Sequence, residues 1–289
     1  MKPVRKVIIP VAGHGTRVLP ATKSIPKELL PLVDRPLIDY VVREAFEAGI
    51  EHVVLVTGRG KSAIEDYFDH AFELETGLEA KNKSDILARV RKPIPKAGSI
   101  SYTRQQAPLG LGHAVWCARD IIGDEPFAVS LPDVVIDAAP SALAQMVREY
   151  ENTGGNIIAV EEVPMEDTNK YGVVAAKGER KGRSFEISAM VEKPEPAKAP
   201  SNLAITGRYI LQPEIFGLLE KTARGAGGEI QLTDAMDALM AQQSFYAYEY
   251  EGVSHDCGST LGWLTANAAL ALNNPELGAA YKEFLKSRL

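Results

Sequence analysis

The chain contains few cysteines and histidines, the residues that form disulfides and zinc sites. Its 289 residues include two cysteines, Cys117 and Cys257, and five scattered histidines, without a CxxC pair or a zinc-type spacing. This scarcity excludes a disulfide framework and a four-cysteine zinc site, and it suits a reducing compartment. No apolar run approaches the roughly 18 residues that span a bilayer. Internal repeats and low-complexity segments are also missing.

Basic residues are fewer than acidic ones, 32 against 38. The formal net charge is -6 at pH 7, so we expect no nucleic-acid-binding surface, although a local basic pocket is compatible with this balance. Residues 1–5 lead directly into a short apolar strand and lack the apolar segment and cleavage site of a secretory signal. We therefore expect a cytoplasmic protein that binds neither nucleic acid nor membrane.

Strand and helix patterns alternate through the first 160 residues. Strands are predicted at 7–11, 53–56, 100–104, 127–131 and 156–160, most of them as continuous apolar runs that are buried on both faces. Helices are predicted at 37–48, 62–72, 113–121 and 140–151. This order predicts an α/β fold with a Rossmann-like, doubly wound sheet that binds ligands at the carboxyl ends of its strands.

Shorter strands and proline-rich loops follow residue 160. Strands are predicted at 171–175, 187–191, 202–211 and, as an edge strand, 245–250. Helices are predicted at 213–221, 229–242, 261–272 and 275–285, with Ser259 as an N-cap and a turn at 255–258. We interpret this part as an extension folded onto the same sheet, which makes the sheet mixed and the chain, 1–289, a single domain.

A charged segment, 73–98, interrupts the first half. It has weak helical character, and two prolines, Pro93 and Pro95, close it. A charge run of this kind usually faces water. The alternative interpretation is a contact between subunits.

The most informative stretch follows the first strand. Its chemistry-bearing residues are Gly13, Gly15, Thr16, Arg17 and Lys27. Glycines allow a sharp turn close to a ligand, and the N–H groups of such a turn form a nest for phosphate oxygens. Neither a P-loop nor the dinucleotide fingerprint matches, because no G-x-x-x-x-G-K-[ST] occurs and position 18 is Val. We therefore predict that this loop binds a nucleoside triphosphate.

This stretch also resembles a family signature. Residues 12–17 and the longer segment 20–28 are similar to the sugar-1-phosphate nucleotidyltransferases, and most closely to their uridylyltransferase branch. Glu192-Lys193-Pro194 and the segment 229–234 resemble the same family, so that the likeness covers nearly the whole chain. It implies the nucleotide-diphospho-sugar transferase fold, with 1–160 as the nucleotide-binding half and 161–289 as the sugar-binding half and C-terminal helices.

The resemblance implies transfer of UMP from UTP to α-D-glucose 1-phosphate, with UDP-glucose and pyrophosphate as products and Mg²⁺ as cofactor. The attacking phosphate oxygen is already an anion, so such a reaction needs no general base. It needs cations, backbone donors and Mg²⁺ held by carboxylates. The product would feed polysaccharide biosynthesis, and a homodimer or homotetramer is implied.

The resemblance also assigns residues to roles. The catalytic cations are Arg17, Lys27 and Lys193, the last of them on the sugar phosphate. The nucleotide is expected on Ala12, Gly13, Gly15, Thr16, Gln105 and Gly110, although Leu109 stands where a basic residue is expected. The sugar is expected on Tyr171, Gly172, Glu192, Lys193 and Asn202. The Mg²⁺ ligands are expected to be Asp133 and Asp256, which only the fold can bring together.

Glu192 and Lys193 raise a geometric question because neighbours on a strand point to opposite faces. Both can contact one ligand only if Pro194 and the loop after it bend the chain. The segment 229–234 is interpreted as the start of a helix that supports the sugar side.

Alternative functions stay open at this point. One is the same chemistry with dTTP or CTP, and another is a non-catalytic regulatory subunit that binds a nucleotide sugar. The second would be marked by loss of Arg17, Asp133 or Lys193, and all three are present. A Rossmann-type dehydrogenase is disfavoured because the third glycine and an acidic residue after the second strand are lacking.

Overall fold

The computed structural model describes residues 1–288, except for the side chain of Ala226. The strands are β1 Lys6–Pro10, β2 Pro31–Leu32, β3 Arg35–Pro36, β4 His52–Thr57, β5 Ile100–Arg104, β6 Phe127–Ser130, β7 Val134–Asp137, β8 Asn156–Glu162, β9 Gly172–Ala176, β10 Ser184–Glu192, β11 Leu203–Leu211, β12 Phe245–Glu249 and β13 Val253–Asp256. The helices are α1 Leu37–Glu47, α2 Ser62–Tyr67, α3 Phe72–Ala80, α4 Ser84–Arg91, α5 Leu111–Trp116, α6 Arg119–Ile122, α7 Ala142–Thr153, α8 Ile215–Leu219, α9 Leu232–Met240, α10 Thr260–Asn273 and α11 Gly278–Lys286.

A nine-stranded mixed sheet forms the centre of the described chain, in the order β5-β4-β1-β6-β11-β8-β12-β10-β9. Strands β5, β4, β1 and β6 are mutually parallel. Strand β11 is antiparallel to both of its main neighbours, β6 and β8. The predicted doubly wound mixed α/β sheet is thus confirmed, and the sequence's second half inserts strands into it.

The strands of the first half are buried on both faces, as their continuous apolar runs predict. In β1, Ile8 belongs to one hydrophobic cluster whereas Val7 and Ile9 belong to the cluster on the opposite face. Each of these three side chains is 0% exposed. Helices therefore cover both faces, and the carboxyl ends of the strands are left free for ligands.

Two predictions in the second half, one of an edge strand and one of a turn, differ from the structure. The strand at 245–250 is not at an edge, because β12 lies between β8 and β10. The predicted turn at 255–258 begins inside β13, which pairs with the unpredicted strand β7 so that Asp256 stands opposite Val134. Both strands of this small sheet are four residues long and far apart in sequence, which is why alternation did not reveal them.

Helix boundaries also differ from the predicted ones. The helix at 62–72 ends at Tyr67, the helix at 113–121 is divided into α5 and α6, and α9 begins at Leu232 rather than at 229. Ser259 does cap α10, since its Oγ accepts a hydrogen bond from Gly262 N at 3.1 Å. Within residues 1–288, no helix has the length and apolarity needed to cross a membrane.

The charged segment forms two helices, α3 and α4, that contact each other. No residue of α4 is buried, as a solvated charge run predicts. The two helices are joined through Glu75, whose side chain is 6% exposed and accepts from Arg91 Nε at 2.6 Å and from Ala71 N at 3.0 Å. This buried carboxylate gives an otherwise exposed segment a fixed structure.

Candidate active site

Two adjoining cavities open at the carboxyl ends of the central strands. The first cavity, about 570 Å³, is lined by the loop after β1 together with Gln105 and Gly110. The second cavity, about 610 Å³, is lined by residues of β10, β11 and β13. Arg17, Asp133 and Glu229 line both cavities. A single extended ligand can therefore occupy both.

The glycine loop has the predicted place and a clear local cause. Ala12, Gly13, Gly15 and Thr16 all line the first cavity. Gly15 has φ of 66°, and a Cβ there would lie 3.1 Å from Lys27 Cβ. Its carbonyl accepts from Thr22 Oγ1 at 2.7 Å. The absence of a side chain at Gly15 lets the loop close against Lys27.

Two predicted cations converge on one predicted carboxylate. Lys27 Nζ lies 2.6 Å and Arg17 Nη2 lies 3.4 Å from Asp133 Oδ2. Burial raises the pKa of Asp133, but Lys27 and then Arg17 outweigh burial and hold this pKa below its ordinary value. The carboxylate is therefore ionised at neutral pH, and the two cations stand beside a cavity that anions can enter.

A buried ion pair, which was not predicted from the sequence, connects the glycine loop segment to α2. Glu28 Oε2 accepts from Lys61 Nζ at 2.7 Å, with the two side chains 1% and 8% exposed. Burial raises the pKa of Glu28 against the pull of Lys61. The pair ties the end of the glycine loop segment to the start of α2 and thereby fixes the neighbouring Lys27.

The small β7–β13 sheet brings the two predicted metal ligands together. Asp133 immediately precedes β7, and Asp256 ends β13 opposite Val134. The backbone ladder continues beyond the strands, since Cys257 N donates to Asp133 O at 2.7 Å. A Cβ at Gly258 would lie 2.5 Å from Arg17 Nη2, so this glycine leaves room for the guanidinium group.

The region that is predicted to bind the base is built from the end of β5 and the loop after it. Gln105 is 8% exposed, and its Nε2 donates to Gly110 O at 3.1 Å. Gly110 has φ of 106°, and a Cβ there would lie 2.7 Å from Glu229 Cβ. Leu109, where the resemblance expects a basic residue, contributes its carbonyl, which accepts from Ile230 N at 2.7 Å. The loop is therefore fastened by backbone rather than by charge.

Glu192 and Lys193 do face one cavity, but the bend is not where the sequence placed it. Lys193 itself has φ of 46°, which turns the chain one residue before Pro194. Lys193 N donates to Tyr171 O at 2.9 Å, and both residues line the second cavity with Gly172. A Cβ at Gly172 would lie 3.2 Å from Glu192 Oε2. This glycine thus gives the carboxylate its space.

One predicted sugar residue is not part of either lining, and several lining residues were not predicted. Asn202 is absent from the cavity linings that the structure describes, and its carbonyl accepts from Val163 N at 3.0 Å. Polar residues of the second cavity that were given no role from the sequence are Glu161, Lys170, Thr206, Tyr209 and Ser254, whereas Glu229, Gln231 and Thr233 line it from the predicted supporting segment 229–234. Thr233 Oγ1 donates to Glu192 Oε2 at 2.8 Å. The motif 229–234 signalled this support in general but not the residue.

The carboxylates suit a cation that arrives with its phosphate ligand. Within the described chain, no group of three or more His, Cys, Asp and Glu is arranged to hold a metal ion. Asp133 and Asp256 both line the second cavity. Mg²⁺ is commonly held by one or two carboxylates plus waters and substrate phosphates. This donor set therefore fits Mg²⁺ in a complex with a nucleotide.

Comparisons with known proteins agree with this geometry. Residues 6–272 match the family described as nucleotidyl transferase. The chain is 50% identical over 289 residues to a UTP–glucose-1-phosphate uridylyltransferase of Bacillus subtilis (strain 168), covering 100% of this chain and 98% of that one. It is similar to a UTP-bound UGPase from Acinetobacter baumannii, with 46% identity, TM-score 0.90 and 98% of each chain covered. It is also similar to a UDP-glucose pyrophosphorylase complexed with UDP-glucose, with 42% identity, TM-score 0.83, and 94% and 100% covered.

Proposed function

Because this chain belongs to the nucleotidyl transferase family, we propose that it transfers UMP from UTP to α-D-glucose 1-phosphate. The products are UDP-glucose and pyrophosphate. The observation that carries the proposal is the pair of adjoining cavities that share Arg17 and Asp133. One cavity suits a nucleoside triphosphate and the other a sugar phosphate, and their junction suits the reacting phosphates.

The reaction is a displacement at the α-phosphorus of UTP. A phosphate oxygen of glucose 1-phosphate forms a bond to this phosphorus, and the bond from it to the bridging oxygen of pyrophosphate breaks. Both reactants are anions, so the main task of the protein is to hold them together and neutralise charge. Arg17 and Lys27 take the triphosphate and the departing pyrophosphate, and Lys193 takes the sugar phosphate.

The remaining predicted residues orient the two substrates. The backbone of Ala12 and Gly13 faces the nucleoside, and Gln105 with Gly110 contacts the base. Glu192 accepts hydrogen bonds from sugar hydroxyls, and Tyr171 and Gly172 line the space around the sugar. These assignments are supported by the position of each residue in its cavity.

Mg²⁺ is the cofactor that we propose. Asp133 and Asp256 would hold it, and it would supply positive charge to the phosphates during the displacement. Lys27 and Arg17 contact the same Asp133 carboxylate, so positive charge from the protein lies beside the proposed metal position.

We further propose a cytoplasmic homo-oligomer, a dimer or a tetramer, whose product supports polysaccharide biosynthesis. The apolar helix α10 supports oligomer formation, since Leu261 is 73% and Leu264 is 52% exposed and only Ala266 is buried. Light scattering at micromolar protein concentration tests the oligomeric state, and the molar mass of a monomer would contradict the proposed oligomer.

The function is tested by measuring pyrophosphate release from UTP, dTTP, CTP and ATP, with glucose 1-phosphate and with or without Mg²⁺. We expect release that requires Mg²⁺ and prefers UTP. Asp133→Ala and Lys193→Ala should each lower kcat/KM by at least about a hundredfold, as loss of a charged contact in the transition state does. Lys198→Ala is the matched control, because Lys198 pairs with Glu195 at the surface and both side chains are more than 70% exposed. Absence of release with all four nucleotides would contradict the proposal.

A further inference from the structure

Gln105 has neighbours that fix the direction of its side-chain amide. Nε2 lies 3.1 Å from Gly110 O and 3.0 Å from Nδ1 of His113. A carbonyl oxygen can only accept, so the amide atom that faces Gly110 must be the nitrogen. Its second proton is then directed to His113 Nδ1. Since both protons of Nε2 are engaged by the protein, Oε1 is the polar atom left for a ligand in the first cavity.

His113 is suited to be the second acceptor. Burial lowers its pKa, which favours a neutral ring at physiological pH. The neutral tautomer with its proton on Nε2 carries a lone pair on Nδ1. The ring is stacked on Trp116 with centroids 6.0 Å apart, and Cys117 Sγ lies 3.8 Å from Nδ1. These contacts from α5 and its C-terminus hold the imidazole in the orientation that Gln105 requires.

An amide oxygen that faces the base discriminates between pyrimidines. N3 of uracil carries a proton and can donate to Oε1, whereas N3 of cytosine is an acceptor and would be left facing another acceptor. Unpaired polar groups of this kind are what make a site reject an analogue. We propose that His113 is a positioning residue that sets the preference for UTP over CTP by holding the Gln105 amide with its oxygen toward the base. Thymine also carries a proton on N3, so this device does not separate dTTP from UTP.

The inference rests on the proposed function and is tested by two substitutions at one position. His113→Asn keeps an acceptor, because Oδ1 of Asn can stand in the place of Nδ1, whereas His113→Leu removes it. We expect H113L to lower the ratio of kcat/KM for UTP to that for CTP by about tenfold or more, the effect of one lost hydrogen bond. We expect H113N to keep this ratio within about threefold of the wild type.

His52→Leu is the matched control. His52 is also half-buried with a pKa lowered by burial, and its Nε2 lies 2.8 Å from Ser101 Oγ. It lies at the amino end of β4, away from both cavities, so H52L should leave the UTP-to-CTP ratio unchanged. A merely structural role for His113 would lower stability in H113L without changing this ratio.

The outcomes separate the inference from the function beneath it. An H113L enzyme with the wild-type ratio, or an H113N enzyme that loses as much as H113L, would overturn the inference. If turnover is too slow to measure, the ratio of the dissociation constants for UTP and CTP, measured by calorimetry, replaces the ratio of the kcat/KM values. If leucine prevents folding, His113→Ala replaces H113L. A wild type that uses UTP and CTP equally would overturn the inference alone. Absence of pyrophosphate release with every nucleotide would overturn the proposed function and the inference with it.

Discussion

At the scale of single residues, Lys193 shows how the site obtains two functional groups from adjacent positions. Its φ of 46° is a left-handed conformation that costs a non-glycine residue on the order of 1 kcal/mol. The bend directs Lys193 and Glu192 into the same cavity, where Nζ lies 3.5 Å from Glu192 Oε1. Strain of this kind is common at functional sites, because the surrounding structure holds it in place.

The other oxygen of Glu192 leads to a first prediction. Oε2 accepts from Thr233 Oγ1 at 2.8 Å, and Thr233 is 7% exposed. Thr233→Val removes this hydrogen bond at nearly constant volume and frees the carboxylate to rotate. We expect kcat/KM for glucose 1-phosphate to fall about 10- to 100-fold, since hydrogen bonds to charged groups are the stronger ones. Steady-state kinetics should show KM for UTP changed by less than about threefold.

Two further variants make this prediction specific. Thr233→Ser keeps the hydroxyl and should recover most of the wild-type kcat/KM. Thr222→Val is the matched control, because Thr222 Oγ1 donates to Leu218 O at 2.9 Å and Thr222 is absent from the cavity linings that the structure describes. If T233V raised KM for UTP as much as KM for glucose 1-phosphate, this result would contradict a role through Glu192.

Prediction from the sequence was most successful for residues in contiguous motifs. Arg17, Lys27, Glu192 and Lys193 carry their chemistry in short patterns, and all four line the cavities. His113 was missed because its role depends on which atom of Gln105 it faces, and no spacing contains that information. Asn202 is absent from both linings, and a position beside the start of a strand does not say to which side its side chain turns.

At the scale of elements, the turn between β6 and β7 is held by one buried arginine. Arg208 on β11 is 0% exposed, and its guanidinium donates to Leu131 O at 3.1 Å and to Val134 O at 2.7 Å. These carbonyls lie on either side of Asp133. The charge is balanced by Glu44 on α1, whose Oε2 lies 2.7 Å from Nη2. The position of Asp133 therefore depends on three elements.

This arrangement gives the second prediction. Arg208→Met leaves Glu44 as a buried, uncompensated carboxylate and should lower the free energy of unfolding by about 3–5 kcal/mol. The double variant with Glu44→Met should recover at least about half of that loss, because a neutral pair avoids the buried charge. Urea denaturation measures both changes. Pyrophosphate release should be low in R208M and also in the double variant, since the carbonyls beside Asp133 lack their donor in both.

The exposed pair Lys198–Glu195 provides the control for this series. Lys198→Met removes a surface ion pair and should change the free energy of unfolding by less than about 1 kcal/mol. A stability of R208M equal to that of the wild type would contradict a structural role for the buried pair. Full activity in the double variant would contradict the link from Arg208 to Asp133.

The third prediction concerns the pH dependence of α3 and α4. Hydrogen bonds from Arg91 and His70, working against burial, lower the pKa of Glu75. A lowered pKa in the folded state means that the stabilisation is complete above the ordinary carboxyl range and is lost as pH falls through the folded-state pKa. Glu75→Gln should therefore accelerate amide hydrogen exchange in α3 and α4 at neutral pH, and the difference from the wild type should disappear in acid. A difference that grows in acid would contradict this assignment.

At the scale of the whole molecule, the sequence predicted the architecture better than the strand order. The parallel half follows from apolar runs that alternate with helices, a local pattern. The position of β11 between β6 and β8 depends on pairing between residues about 80 apart, such as Tyr209 with Val129, and no local pattern specifies it. The same long-range pairing explains why β12 was wrongly predicted at an edge.

That strand order also determines whether the halves 1–160 and 161–289 can fold separately. Both main-sheet neighbours of β8, β11 and β12, come from the second half. A fragment of residues 1–160 would end inside β8 and leave the remaining residues of this strand without either neighbour, although Ile157 and Ile158 are 0% exposed in the full chain. We therefore expect this fragment to aggregate or remain unfolded, because exposed apolar strand edges pair with other chains.

The full chain should accordingly unfold as one unit, and its two tryptophans provide the measurement. Trp116 lies at the end of α5 in the first half, whereas Trp263 lies on α10 in the second and donates from Nε1 to Pro31 O at 3.0 Å. Trp116→Phe and Trp263→Phe each leave a single fluorophore. In each variant, we expect the fluorescence transition in urea to have the same midpoint as the transition measured by far-ultraviolet circular dichroism. β11 lies between two strands of the first half, β6 and β8. If the second half unfolded at a lower urea concentration, β11 would have to leave the sheet while β6 stayed folded. Separate midpoints would therefore contradict the single-domain interpretation.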